Sequence, residues 1–159
     1  MIIQTGEPFQ QLVRVSAGEL PDQSAVTLTE SVRADFPISL AFTGSALRGV
    51  QISSQGSVLL GDAIVSTSVQ VSSDGSIKAT SSFDQITADT VTLQASAGIG
   101  RLDAPLSVTA AELSATTDTG DIALVVNREA PAYAITIGTI ETSSGGAVSI
   151  TAGGDILAE

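Results

Sequence analysis

Short runs of alternating apolar and polar residues recur along the chain, and each run leads through serine or threonine and a glycine to another apolar residue. Two clear copies read Val50-Gln-Ile52-Ser-Ser-Gln-Gly56-Ser-Val58 and Val69-Gln-Val71-Ser-Ser-Asp-Gly75-Ser-Ile77. The copies begin at Val50, Val69, Val91, Leu113 and Ile140, and a less regular copy begins at Val26. Alternation of this kind is the period-two pattern of a β-strand.

The spacing of the copies predicts how the strands are arranged. From the first apolar residue of a copy to the apolar residue after its glycine, the offsets are 8, 8, 8, 9 and 8, and successive copies are 19, 22, 22 and 27 residues apart. We therefore predict an all-β fold, a single-stranded parallel β-helix (β-solenoid) of about five to six coils of roughly 19–27 residues, each with three short strands. A β-sandwich is the rival fold, in which this spacing would be accidental.

Each coil is predicted to have an anchor strand before the glycine, a second strand after it, and a third strand after a turn such as Asp103-Ala-Pro105. Stacked coils would bury their apolar residues in three interior ladders, because no single coil can cover its own apolar face. The predicted ladders are Val50, Val69, Val91, Leu113 and Ile140; Val58, Ile77, Ile99, Ile122 and Val148; and Ile64, Ile86, Leu106, Ile135 and Ile156.

One insertion interrupts the repeats. Residues 127–133 lengthen a coil of 22 residues to 27 and are predicted to leave the solenoid as a loop. Loops carry binding residues more often than scaffold does, so the candidate binding residues are Asn127, Arg128, Glu129 and Tyr133. The alternative is a tolerated insertion with no binding role.

The two ends of the chain differ from its middle. Residues 1–45 have strand-like pieces without the glycine spacing and are predicted to form an irregular coil or a cap, whereas residues 46–159 form the repetitive solenoid. The last repeat has no polar cap, which solenoid ends need against edge-to-edge association. We therefore expect the solenoid to continue beyond Glu159, with flanking repeats of the same polypeptide as its partners. No signal-peptide pattern is present, so the export signal is expected outside this segment.

The charge of the chain argues against two classes of partner. Its net charge is −11, with 6 Lys and Arg residues against 17 Asp and Glu. Phosphate binding needs clustered Lys and Arg, so we expect no nucleic-acid partner. No apolar run is long enough to span a bilayer, and we expect no membrane insertion.

Few side chains suited to catalysis are present. The chain has no His and no Cys, which removes Ser-His-Asp and Cys-His nucleophiles and zinc sites built on those ligands. Its carboxylates fall mostly at turns, where Asp binds nearby backbone N–H groups. Lys78 and Arg101 come close to the same strand face, but no carboxylate cluster adjoins them. We therefore predict no catalytic residues, no metal site and no cofactor.

The segments Ser144-Gly-Gly-Ala-Val-Ser-Ile-Thr-Ala-Gly-Gly-Asp-Ile-Leu157 and Thr119-Gly-Asp-Ile-Ala-Leu124 resemble the repeats of filamentous-haemagglutinin-like bacterial exoproteins. The resemblance covers residues from about 50 to 159. It implies a right-handed parallel β-helix, export to the bacterial surface or medium, and a role in adhesion. The chain departs from the family in having one Asn and irregular coil lengths.

Three functions follow as hypotheses. The first is a structural shaft or spacer segment of a large secreted or surface-exposed adhesin-like protein, without enzymatic activity. The second is an adhesion module that binds glycans or cell-surface proteins through the 127–133 loop or the acidic face. The third is a β-helix polysaccharide lyase or hydrolase, which the scattered carboxylates favour least.

Overall fold

The computed structural model describes the backbone of residues 2–3, 12–16, 25–30, 38–43, 49–61, 63–80, 86–127 and 134–158, with side chains from residue 49 to residue 157. The described part of the chain contains strands and no helix, and every strand pairing is parallel. The strands are β1 (Ile2–Ile3), β2 (Leu12–Ser16), β3 (Ala25–Glu30), β4 (Ile38–Thr43), β5 (Gly49–Ser54), β6 (Val58–Leu60), β7 (Ile64–Val65), β8 (Ser68–Ser73), β9 (Ser76–Ala79), β10 (Ile86–Ala95), β11 (Gly98–Ile99), β12 (Leu106–Thr117), β13 (Ile122–Asn127), β14 (Ile135–Thr142), β15 (Val148–Ala152) and β16 (Ile156–Ala158).

The predicted parallel β-solenoid is confirmed. Its first interior ladder, formed by residues paired in register from coil to coil, is Val50, Val69, Val91, Leu113 and Ile137. Successive members of this ladder are separated along the chain by about as many residues as the sequence repeats are. The solenoid makes about four turns, whereas the sequence predicted about five to six coils. Because paired strands lie about 4.8 Å apart, four steps give a stack roughly 20 Å tall.

The second predicted ladder is confirmed at every position. It consists of Val58, Ile77, Ile99, Ile122 and Val148. All of its members except Val148 are completely buried. Each fully buried aliphatic side chain stabilises the fold by about 1.5–3 kcal/mol, so this ladder holds successive coils together.

The other two ladders depart from the prediction. Ile137 rather than Ile140 faces Leu113, and a one-residue register shift after this pair places Ile140 opposite Ala115. The third ladder is Ile64, Ile86, Val108, Val126 and Ala152. Leu106 pairs with Leu124 and Ile135 pairs with Ile156 instead. The chain also makes an excursion between Ile99 and Leu106, because Ile99 pairs with Ile122 whereas Leu106 pairs with Leu124, only two residues later.

The middle coils also join two of their predicted strands. The third strand of one coil runs directly into the anchor strand of the next, which gives the continuous strands β10 of 10 residues and β12 of 12 residues. Buried apolar residues lie on both sides of the junction, and the backbone stays paired with the neighbouring coils along nearly the whole strand.

At four of the five glycine corners a hydroxyl side chain occupies the last inward position before the turn, and at the fifth this residue is Ala95. This corner ladder consists of Ser54, Ser73, Ala95, Thr117 and Thr142. Ser54 Oγ accepts a 3.1 Å hydrogen bond from Gly56 N, and Thr117 Oγ1 donates a 3.2 Å bond to the carbonyl oxygen of Gly120. A buried hydroxyl needs such partners, and the backbone at the turn supplies them.

The described strands before residue 45 pair with the solenoid. β3 pairs with β5, with Val26 opposite Val50, where the less regular repeat copy was recognised. β4 likewise lies between β2 and β6. These strands continue the parallel sheet, while the other residues of the predicted irregular coil or cap lie outside the described residues.

Candidate functional site

Residues 100–105 form a turn that projects from the side of the solenoid. Gly100 begins it with a φ of +67°, and a Cβ atom there would lie 2.8 Å from Leu106 N. This position therefore favours glycine, which alone combines that backbone with so close an approach. Arg101 and Ala104 then exchange two backbone hydrogen bonds of 3.0 Å, which close the turn. We name residues 101–104 the Arg101 turn.

The side chains of the Arg101 turn point into solvent. Arg101 Nη2 lies 2.8 Å from Asp103 Oδ2, and the two side chains are 62% and 69% exposed. Leu102 between them is also exposed. An ion pair this open contributes only about 0–1 kcal/mol to stability. The turn thus presents a cation, an anion and an apolar side chain that are not required to hold the core together.

A groove of about 460 Å³ lies on one side of the Arg101 turn. It extends over three coils, because its walls come from β9, from β11 with the turn, and from the corner before β13. We name it the cationic groove; its lining residues are Ser76, Lys78, Ala97, Gly98, Gly100, Arg101, Leu102, Asp103, Gly120 and Asp121. The sequence had placed Lys78 and Arg101 close to one strand face, and both line this groove.

A second groove of about 480 Å³ lies on the other side of the turn. Its lining is largely apolar or uncharged, with Asp103 as its charged member: Ala79, Thr80, Asp103, Ala104, Pro105, Ser107, Val125 and Asn127. We name it the Asn127 groove. Asn127 Nδ2 donates a 3.1 Å hydrogen bond to Ser107 Oγ, so the side chain is held in place at the end of β13.

The predicted binding loop is described only at its first residue. Asn127 belongs to β13 and lines the Asn127 groove. Arg128, Glu129 and Tyr133 lie outside the described residues. Sequence reasoning missed Leu102 and Asp121 as lining residues, because their place beside a groove depends on how the coils stack and not on a local pattern.

The described carboxylates are dispersed. Asp118 Oδ2 accepts a 2.9 Å hydrogen bond from Ser96 Oγ in the preceding coil, and Asp121 Oδ1 accepts a 2.8 Å bond from Ala147 N in the following coil. Among the residues that are described, no three acidic side chains are grouped as a metal site would require. These two aspartates therefore join corners of adjacent coils.

Among the described residues, the coil that contains β15 and β16 has interior-ladder residues that are about half exposed. Val148 pairs with Ile122, and Ile156 pairs with Ile135. Ile122 and Ile135 are 0% and 1% exposed, whereas Val148 and Ile156 are 48% and 47% exposed. Leu157 is exposed beside them. We name Val148, Ile156 and Leu157 the open end of the described solenoid.

In the described part of the chain, no helix is long and apolar enough to cross a membrane. Comparison with known proteins finds no match to this chain among family models, curated proteins or solved structures. The resemblance to filamentous-haemagglutinin-like exoproteins therefore stays a prediction from the repeat pattern.

Proposed function

We propose that this chain is a structural shaft segment of a large secreted or surface-exposed bacterial adhesin-like protein, and that flanking solenoid coils of the same polypeptide are its partners. The observation that carries the proposal is the open end. Val148 and Ile156 have the ladder positions of buried residues and yet are about half exposed. A further coil in the same register would bury them as Ile122 and Ile135 are buried.

The interior of the solenoid supports the same role. Its stability comes from ladders in which each coil contacts only the coils next to it. Further coils can therefore be stacked on the solenoid without altering the packing of the others. The net charge of −11 keeps such a polymer soluble and self-repelling. A stack of this kind gives length and stiffness, which are what a spacer supplies.

The test is the size and location of the native polypeptide. An antibody raised against the 16.0 kDa chain would be used to detect the protein in fractions of the source cells. A band many times heavier than 16.0 kDa, accessible to protease added outside the cells, is the expected result. A 16.0 kDa polypeptide inside the cells would overturn the proposal, as would turnover of a polysaccharide by the purified chain.

A second candidate function is an adhesion module that contacts a glycan or cell-surface protein through the Asn127 groove. Asn127 favours it, because this candidate residue of the 127–133 insertion lines a groove and is fixed by Ser107. Beads coated with the chain would be scored for attachment to cells, with and without deletion of residues 127–133. Loss of attachment without loss of the fold supports the module, and unchanged attachment contradicts it.

A further inference from the structure

The cationic groove gathers the positive charge of the described solenoid. Lys78 and Arg101 are the two basic residues whose side chains are described between residues 49 and 157, and both line this groove. The chain as a whole has a net charge of −11. Asp103 and Asp121 also line the groove, so its acidic and basic side chains are equal in number.

Neither cation is tied to a strong structural partner. Lys78 is half-buried, and no ion pair or hydrogen bond of its side chain is present in the described structure. Arg101 pairs with Asp103 through side chains that are mostly exposed. An exposed pair of this kind contributes little to stability, and its single Nη2–Oδ2 contact leaves other N–H donors of the guanidinium for a second carboxylate. Both cations are therefore available to a ligand.

The stacking of the coils brings the two cations to neighbouring levels. Gly100 N donates a 2.8 Å hydrogen bond to the carbonyl oxygen of Ile77, which places Gly100 over the β9 strand that carries Lys78. Arg101 follows Gly100 directly and starts the projecting turn. Coils are about 4.8 Å apart, so one anionic group can approach both side chains. Arginine adds a planar fork that matches a carboxylate.

The remaining lining narrows the class of ligand. Asp103 and Asp121 would repel a polyanion such as an acidic peptide, but their carboxylate oxygens accept hydrogen bonds from sugar hydroxyls. Ser76 adds a hydroxyl, and the exposed Leu102 side chain offers an apolar surface to the CH face of a sugar ring. A ligand with one carboxylate and many hydroxyls satisfies all of these groups together.

We propose that the cationic groove binds a carboxylated sugar within an otherwise neutral glycan, with Lys78 and Arg101 holding the carboxylate and Asp103 and Asp121 accepting hydroxyl hydrogen bonds. This site is separate from the Asn127 groove. It does not depend on the shaft proposal, because a shaft can carry such a site on its side or lack one.

The experiment compares two probes that differ by one acidic sugar. The full chain, labelled with nitrogen-15, is titrated with 3′-sialyllactose and with lactose, and backbone amide shifts are followed by NMR. We expect saturable shifts at Gly98, Gly100 and Gly120 with 3′-sialyllactose and none with lactose. Equal binding of lactose, or shifts that avoid these glycines, would overturn the proposal.

Variants test the two cations. Lys78→Gln and Arg101→Gln should each weaken binding of 3′-sialyllactose by about tenfold or more, the loss expected for one charge-assisted hydrogen bond. Gln94→Glu changes the net charge by the same amount at an exposed position outside the groove, and its affinity should stay within about twofold in 0.15 M salt. Circular dichroism and the melting temperature of each variant report whether the fold is intact.

Two results would contradict the proposal. If Lys78→Gln and Arg101→Gln retain the fold and bind as the unaltered chain does, the cations do not hold the carboxylate. If a tetraglutamate peptide binds at the same glycines more tightly than 3′-sialyllactose, the groove selects acidic peptides and the sugar assignment is wrong.

Discussion

Ser73 Oγ donates a 2.7 Å hydrogen bond to the carbonyl oxygen of Gly56 in the preceding coil and accepts a 3.1 Å bond from Gly75 N in its own corner. One buried hydroxyl thus connects two successive glycine turns. Ser54 and Thr117 occupy equivalent positions and also bond to the backbone of their corners. Ser54, Ser73 and Thr117 are therefore part of the interior and not simply a polar connection.

Replacement of Ser73 by alanine should destabilise the fold by about 1–3 kcal/mol, because the carbonyl of Gly56 and the amide of Gly75 lose a buried partner. Urea denaturation followed by circular dichroism measures the effect. Ser53→Ala is the matched control, since Ser53 lies on an adjacent strand with an exposed side chain. Equal midpoints for the two variants would show that the corner bond is unimportant.

Ile77 of the second ladder and the next residue, Lys78, differ strongly in burial. Ile77 is completely buried between Val58 and Ile99, whereas Lys78 lies in a groove. Ile77→Asp should abolish cooperative folding of the region, because a carboxylate without a partner costs several kcal/mol in an apolar interior. Lys78→Glu should change the melting temperature little. Similar melting temperatures for the two variants would contradict the ladder.

The second ladder could be predicted because its positions follow from a short sequence pattern within each repeat. Each copy has an apolar residue 8 or 9 positions after its anchor, across a glycine corner of nearly constant length. Hydrogen bonds between a hydroxyl side chain and the backbone of the corner hold these turns, as at Ser54 and Thr117. Local patterning and stacking therefore agree from Val58 to Val148.

The third ladder and the site could not be predicted in the same way. Leu106 and Val108 both alternate with polar neighbours, so the pattern alone does not decide which of them faces Ile86, and in the structure it is Val108. Nor does any local alternation show that residues 100–105 leave the coil. The turn Asp103-Ala-Pro105 was recognised, but its projection was not. The cationic groove depends on that projection and on Asp121 in the next coil.

Gly120 and Gly145 both have a left-handed backbone, but a side chain would be crowded only at Gly120. Comparing the two positions therefore distinguishes the cost of the backbone conformation from the cost of a steric clash. Gly120 has a φ of +85°, and a Cβ there would contact the backbone of Ala97, with the carbonyl carbon at 2.8 Å. Gly145 has a φ of +77° with nothing within 4 Å of its Cβ position. Gly145→Ala should cost about 1–2 kcal/mol from the left-handed backbone alone.

Gly120→Ala should cost clearly more than Gly145→Ala, because the added methyl group must also push apart two stacked coils. Thermal unfolding of the two variants beside the unaltered chain measures the difference. If both variants lose the same stability, close stacking at the Gly120 corner adds nothing to the requirement for glycine.

The sequence pattern and the structure assign different residues of β14 to the position opposite Leu113, and this difference can be tested. The sequence pattern placed Ile140 opposite Leu113, since Ile140-Glu-Thr142 has the alternation of an anchor strand. In the structure, Ile137 faces Leu113 and is buried, while Ile140 faces Ala115 and is half-buried. Ile135-Thr-Ile137 alternates just as well, so packing and not pattern decides between the two registers.

Ile137→Ala should therefore destabilise the chain by about 2–5 kcal/mol, the range for a buried aliphatic truncated in a core, and Ile140→Ala should cost less. Urea midpoints of the two variants at equal slope give the comparison. The reverse order would contradict the register in which Ile137, and not Ile140, faces Leu113. Both variants delete the same atoms from the same strand. A difference in their stability therefore reflects how deeply each isoleucine is packed and not a difference in chemistry.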